Sequence, residues 1–556
     1  MSQGPRPKKV AVIGGGAAGM SCAATLAQHP DKFKVTVFER ASVPGGQATT
    51  IPIDEARFGA SWLNNGVQGG STPYFAPVLV KIFKHTFNFF KKYNHEPREV
   101  RLQVSFGKGA DGFWTNCFPS KLVEEFSGDI TKFGLFLFLV KWLMPVFGLI
   151  PIHIMMRLML FSKGFEEKMV YPLIALFLGT GNQTRHVPSA IVERLFDDPN
   201  MRLWDYDKDT LLPNLPTMVT FDNLGSFYES WRQDLVRRGV SIRLNNEVVK
   251  VTARTSKGIL LQTRVVSDAG DPVSEAGYEV FDDIVFCTLA DDALRILGES
   301  ASLRERFVLS GARFYDDLTV THHDHAYFNR HYETAFRDDL CAQPANDAQR
   351  QQVAFSRGDS SSGNKHGSPE DAAAGVFSSS SPSASSGNQK GFRPMYFTKS
   401  YEQDRSKIEM SFDCSNYQHQ LINANGAEHM YQSIFLDKRR CEHLWTLGEI
   451  DEDKIIKRQW WHQLGHRWQH YLHYLRVVPC MRFLNGRNNT YFAGSWTLVN
   501  MHEIACVSGI AAAYRLGASY RKFDDFAESF FSKYLLLSHG VVFSREEKRR
   551  EQPEAR

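Results

Sequence analysis

A glycine turn constrains this chain most. Residues 8 to 40 read as a strand, Lys9 to Ile13, the loop Gly14-Gly15-Gly16-Ala17-Ala18-Gly19, a small-residue helix through Ala27, and a second strand, Lys34 to Phe38, that ends on Glu39. G-x-G-x-x-G between a strand and a helix, with an acid closing the next strand, is the signature of a βαβ unit that binds a dinucleotide. Gly14 permits the tight turn, Gly16 lets the backbone approach a pyrophosphate, and Gly19 lets helix and strand pack closely. The helix start offers free N–H groups and a positive dipole to the phosphates. Glu39 accepts the adenosine ribose hydroxyls.

Length and composition narrow the rest. The chain has 556 residues, 43% hydrophobic and 23% charged, with a net charge of +4. That is a globular protein of two to four domains, not a disordered chain or a nucleic-acid binder recruited by bulk charge. Eight scattered cysteines without a C-x-x-C pair point to a reducing compartment and no cysteine metal site. The polar, basic start runs directly into glycines, so no secretory signal is expected and the protein reads as intracellular, cytoplasmic or peripheral on an internal membrane.

Glu39-Arg40 is followed by Pro44-Gly45-Gly46-Gln47, a second flexible backbone patch. The arrangement resembles the flavin-containing amine oxidase superfamily, and within it the FAD/NAD(P)-binding oxidoreductase branch related to fatty-acid isomerases and carotenoid desaturases. Asn246 to Val251, including Val248, is similar to that family's adenine-side strand, and Phe281 to Thr288 to the strand that closes its cofactor domain. Tyr491-Phe492-Ala493-Gly494-Ser495-Trp496 and the helix from Glu503 to Leu516 resemble its last flavin-contacting block. The resemblance implies FAD as cofactor, with Gly14, Gly15, Gly16, Ala17, Ala18, Gly19, Glu39, Arg40, Gly45, Gly46, Gln47, Val248, Gly494, Ser495 and Glu503 as its contacts. Ser495 departs from the acid often found after the glycine, and Asn500-Met501-His502-Glu503 lacks the aromatic cage partner of an amine oxidase.

The expected fold is α/β, with a Rossmann-type FAD-binding domain assembled from residues 1–70, 218–300 and 480–520. Residues 71–217 and 301–480 form an α+β substrate domain. Within it, 133–161 is rich in Phe, Leu, Ile and Met but broken by Lys141, Pro145, Pro151, His153 and Arg157. That is too short and interrupted for a membrane span; it reads as buried helices lining an apolar cavity or as an interfacial segment. Phe83, Phe87, Phe89 and Phe90 could join it along an apolar tunnel, although core packing explains an aromatic stripe at helical spacing more often. The Ser/Gly-rich stretch 357–391 reads as a disordered insertion. Residues 521–556 read as a C-terminal helix docked on the body, followed by a charged tail.

His462, His466 and His470 recur every fourth residue and read as one helix face, with His473 beyond them. Three successive turns do not converge on one ion, so no metal is expected. His502 is singled out as a proton relay beside the flavin. The expected function is FAD-dependent hydride transfer on a lipid-like substrate, a fatty acyl or isoprenoid chain, by oxidation, desaturation or double-bond isomerisation. The expected partners are that substrate and a peripheral membrane contact, with no nucleic acid. The alternatives are an amine or amino-acid oxidase, a membrane-associated FAD-binding protein without turnover, and a protein that binds NAD alone.

Overall fold

The computed structural model describes residues 6–66, 69–71, 83–179, 181–198, 202–255, 257–359, 391–422, 426–472 and 477–551. The serine-rich stretch from 360 to 390 and His473 lie outside the described residues. A central sheet of five parallel strands runs in the order Ser241–Arg243, Phe33–Phe38, Lys8–Ile13, Asp283–Phe286 and Thr490–Phe492. Two inner strands carry short apolar runs buried on both faces, from Val10 to Ile13 and from Ile284 to Phe286, as a covered parallel sheet requires.

One face of this sheet is covered by Ala17–Leu26 and by the late helix His502–Leu516. The two helices pack without intervening side chains: a Cβ at Gly509 would stand 2.0 Å from the Ala18 carbonyl oxygen. Small residues are placed here because nothing larger fits, which explains a helix rich in Ala, Gly and Ser with little amphipathic pattern. The other face is covered by an antiparallel layer, Asn246–Thr255, Gly258–Val265 and Gly277–Phe281.

A seven-stranded sheet forms the second body, in the order Ile455–Leu464, Phe314–His322, Tyr431–Phe435, Ile408–Asp413, Tyr396–Ser400, Val104–Phe106 and Trp114–Thr115. The hairpin Ala48–Pro52 and Trp62–Gly66 joins the two bodies. A Cβ at Gly66 would meet the Trp461 ring at 3.1 Å, which seats the edge strand Ile455–Leu464 against the segment that follows the double glycine. The helix Asp525–His539 docks on the body through Phe531, Tyr534 and Leu535 and packs against the late helix. None of the eight cysteines is disulfide-bonded.

One sequence expectation is overturned here, and the aromatic stripe packs as core. His462, His466 and His470 do not share a helix: His462 lies on the strand Ile455–Leu464, His466 follows the break at Gly465, and His470 sits in the short helix Trp468–Leu472. The fourfold spacing is a coincidence across a strand end and a turn. Nor do the aromatic stripe and the apolar insertion form one tunnel. Phe89 stacks on Trp231 (4.3 Å between centroids) and Phe90 meets Phe227 edge-on (4.7 Å), inside the core beneath the central sheet. Phe133, Phe136, Val140, Met155 and Met156 belong to a separate core in the second body. Each set is consumed by packing against its own neighbours.

Candidate functional site

The opening strand ends at Gly14, whose φ of +106° and distance to the Cys287 carbonyl exclude a side chain; a Cβ there would approach that oxygen to 2.8 Å. Gly16 then starts the helix Ala17–Leu26 with no side-chain cap and no acid in the first turn, so the helix start is left free for an anion. The Glu39 carboxylate accepts from the Gly15 amide (2.6 Å) and the Ala41 amide (2.8 Å). Burial raises its pKa, and those amides oppose the rise.

The second glycine patch closes on the first. The Gly45 amide donates to the Gly15 carbonyl at 3.0 Å, and a Cβ at Gly46 would lie 3.3 Å from the Gly16 Cα. Two glycine segments in backbone contact leave no side chain between the helix start and the space before it. Gln47 turns the other way and donates from Nε2 to the His462 carbonyl at 3.3 Å. Arg40 is exposed, beside the turn at Gly270. Val248 is buried beside Phe38 and Ile13, and its strand is tied to Glu39 by the Asn246 amide, which donates to the Glu39 carbonyl at 2.8 Å.

Thr288, just past the closing strand, joins the opening turn to the late block. Its Cγ2 would lie 3.5 Å from a Cβ at Gly14, and its carbonyl accepts from the Trp496 indole at 2.9 Å. Its hydroxyl is buried with no hydrogen-bond partner among the described residues, as is the Asn245 side-chain oxygen near the Glu39 end of the cradle. Unpaired buried polar atoms are rare, and each calls for a partner. The Gly494 amide donates to Ser508 Oγ (2.8 Å), and Ser495 Oγ donates to Asn500 Oδ1 (2.9 Å). The opening turn, Glu39 and the late helix thus converge around one cradle, with donors and unsatisfied acceptors suited to a dinucleotide.

Glu503 does different work from the one expected. The Glu503 carboxylate accepts the His85 amide (3.0 Å), the Thr86 amide (2.9 Å) and a contact from His85 Nδ1 (2.6 Å), so it caps the helix Lys84–Lys92 instead of facing the cradle. Burial pushes its pKa up, but His85 and the two amides outweigh that and hold it low. His502 has Tyr228 OH at 2.7 Å on Nε2 and Thr86 Oγ1 at 3.0 Å on Nδ1. Burial takes its pKa down to about 4. Both nitrogens of His502 thus have hydroxyl partners, Tyr228 and Thr86, which fix the start of the late helix, and a proton relayed by His502 would pass through these two groups.

A row of buried polar groups lines one face of the strand Phe314–His322. Asp317 accepts from Asn182 at 2.7 Å through one oxygen. Its other oxygen, Thr319 Oγ1, Gln183 Nε2 and Asn65 Nδ2 have no partner among the described residues. Burial, with Asp437 and Asp316 nearby, raises the Asp317 pKa to about 8 against the Asn182 hydrogen bond, so this side chain is a neutral acid at pH 7. His466, after the edge strand, contacts Tyr471 OH at 2.6 Å through Nδ1 and leaves Nε2 buried and unpartnered among the described residues. Burial and the neighbouring His470 take its pKa to about 3. His470 is buried beside the Trp496 backbone, with its pKa lowered to about 4.

Sequence reasoning missed His85, Thr86, Tyr228, Asp317 and Gln183. None stands in a motif, and only the tertiary contacts select them. Thr288 ended a segment already linked to the cofactor domain, so its position alone was a usable signal.

Residues 12–79 match the NAD(P)-binding Rossmann-like domain. Among solved structures, the CLA-producing fatty acid isomerase from P. acnes superposes with a TM-score of 0.55 at 13% identity, over 93% of this chain and 100% of that one. An oxidoreductase from Methanosarcina mazei gives 0.53 at 12% identity, over 91% and 99%. Wild-type putrescine oxidase bound to putrescine gives 0.52 at 10% identity, over 92% and 99%. The chain shares its fold with these structures. At these identities the likeness speaks for the fold, and the chemistry rests on the chain's own residues. No curated protein sequence matches the chain at a significant level.

Proposed function

We propose that the chain is an FAD-dependent enzyme that removes a hydride from, or moves one within, a lipid-like substrate. The observation that carries the cofactor reading is the Thr288 hydroxyl, buried without a described partner where the opening turn and the Gly494 break meet. The uncapped helix start receives a pyrophosphate, Glu39 accepts ribose hydroxyls, and Gly45 and Gly46 keep the space free of side chains. When bound, a flavin supplies reversible hydride acceptance.

The chain's own groups supply the rest. The start of the late helix is a positive dipole end that favours negative charge developing nearby, and His502 and Glu503 hold that helix in place. His466 is neutral at ordinary pH with Nε2 unpartnered among the described residues, the state needed to accept a hydrogen bond from a substrate group. The lipid-like class is supported by a fatty acid isomerase among proteins that share the fold. Double-bond isomerisation returns the hydride to the substrate and needs no external acceptor, whereas oxidation or desaturation needs one.

The test is anaerobic mixing of the purified, FAD-loaded protein with unsaturated fatty acids and isoprenoids, following loss of the flavin absorption band together with product mass. Bleaching, or a shifted double bond with the mass unchanged, is expected. A protein that takes up no FAD, or one that is bleached only by amines with release of hydrogen peroxide, overturns the proposal.

A further inference from the structure

The apolar insertion divides into two faces. On Ser127–Trp142, Ile130, Phe133, Phe136, Leu137 and Val140 are buried in the second body, while Leu135, Phe138 and Trp142 project outward, Trp142 with 68% of its surface exposed. Their spacing of three and then four residues puts them on one stripe, roughly 10 Å long at 1.5 Å per residue. Val146 continues the outward apolar surface beyond the helix end, and Ile152–Leu158 repeats the division, with Met155 and Met156 inside and Ile154 and Leu158 outside. Leu160, at φ +56° and 83% exposed, presents an isobutyl group to solvent from a left-handed backbone that leucine rarely adopts.

The two outward rows are joined at Lys132. Its ammonium donates to the Leu160 carbonyl at 2.7 Å and lies 4.7 Å from the centre of the Phe161 ring, one turn before Leu135. Scattered surface leucines need no explanation, but a continuous exposed apolar area bordered by polar groups marks an interaction surface.

Charge selects what covers it. Residues 130–165 contain Lys132, Lys141, Arg157 and Lys163 and not one Asp or Glu. Lys132, Lys141 and Lys163 pair only with carboxylates outside that stretch, Asp129, Asp197 and Glu167, and Arg157 has no ion-pair partner among the described residues. The Lys141–Asp197 pair is exposed on both sides, and pairs of that kind are weak and exchange readily for another anion, whereas Lys132 is held in the fold by Asp129 and the Leu160 carbonyl. A second copy applied through the same face would bring like charges together, whereas an anionic leaflet neutralises them and accepts the apolar side chains. Trp142 next to Lys141 is the pairing suited to a membrane–water boundary. Among the described residues, no helix is long and apolar enough to cross a membrane. The segment therefore suits lying on a lipid surface, not spanning it.

We infer that Leu135, Phe138, Trp142, Val146, Ile154, Leu158 and Leu160 form a docking face for an anionic phospholipid bilayer, with Lys141, Arg157 and Lys163 engaging its phosphates. The inference is independent of the redox reading, since vesicle binding is measured with no turnover. In flotation with the full chain, vesicles of phosphatidylcholine and phosphatidylserine carry the protein upward, and vesicles of phosphatidylcholine alone carry less. Replacing Phe138→Ser together with Trp142→Ser weakens binding about tenfold or more to both vesicle types. Replacing Lys141→Ala with Arg157→Ala removes the preference for phosphatidylserine. Unchanged circular dichroism and melting show that these outward-facing substitutions leave the fold intact. As a second readout, brominated lipids quench the fluorescence that is lost in Trp142→Phe. Wild-type protein that stays below the vesicles, a Phe138/Trp142 variant that floats like wild type, or a dimer dispersed by that variant with no vesicle binding overturns the inference.

Discussion

The Glu503 carboxylate in the first turn of the late helix accepts the main-chain amide of His85, 418 positions earlier in the chain, at 3.0 Å. One side chain thereby caps Lys84–Lys92 and fixes that helix to the element that borders the cradle. Replacing Glu503→Gln keeps the shape but removes the charge, leaving the helix start and His85 imperfectly satisfied in a buried site. The expected loss is about 2–4 kcal/mol. It is read as a lowered melting temperature and as faster amide exchange across residues 84 to 92.

The contact of Gly509 with Ala18 tolerates no added carbon. A Cβ would stand 2.0 Å from a main-chain oxygen, closer than real contacts allow, so Gly509→Ala must separate the two helices. The variant is expected to melt several degrees lower and to retain less cofactor after purification. Melting by circular dichroism and the ratio of flavin to protein absorbance check both.

Thr288→Val separates cofactor binding from folding. The hydroxyl has no described partner, so replacing it with a methyl group of similar shape leaves the stability of the cofactor-free protein unchanged or slightly higher. FAD affinity falls about tenfold, the equivalent of one hydrogen bond. Equal FAD affinity in titration calorimetry would remove Thr288 from the site.

Acid destabilises this protein through its buried imidazoles. Burial lowers His322, His466 and His539 to about 3 and His502 to about 4, whereas an unfolded imidazole titrates near 6.5. The unfolded state therefore binds protons that the folded state refuses. This stability is fully present above about pH 6.5 and drains as pH falls toward the folded values. Melting temperature measured from pH 7.5 down to 5 should fall steadily.

His462 behaves in the opposite way. Its Nε2 contacts Asp291 and its Nδ1 contacts Asp316, each at 2.6 Å, and the Asp291 contact does most to raise its pKa to about 9. The bridge is fully present below about pH 6.5 and is lost as pH rises through about 9. With His462 over a third exposed, solvent keeps the effect small. His462→Gln is expected to flatten the alkaline side of the stability profile and, because His462 helps hold the Asp291 pKa low, to change the acid side only in the carboxylate range.

The cradle was legible in sequence because its logic is local: strand, glycine turn, helix and acid fall within about thirty residues. The late helix was legible from its small side chains, since close packing leaves few other choices. The histidine spacing misled because Gly465 separates a strand from a short helix, and spacing of four means nothing across such a break. The aromatic stripe was legible as core, since helical spacing of phenylalanines most often marks packing, and Phe89 and Phe90 are spent on Trp231 and Phe227. Asp317 and His85 were invisible because only distant strands and helices give them their surroundings.

The order of strands in the central sheet sets a schedule for biogenesis. The opening strand is paired on one side with Phe33–Phe38 and on the other with Asp283–Phe286, which in turn pairs with Thr490–Phe492. A ribosome therefore emits the glycine turn long before the closing strand and the late helix exist, and the intervening apolar cores must wait in partly assembled form. Retention of the nascent chain by chaperones, and capture of the nucleotide only near the end of synthesis, follow from that strand order.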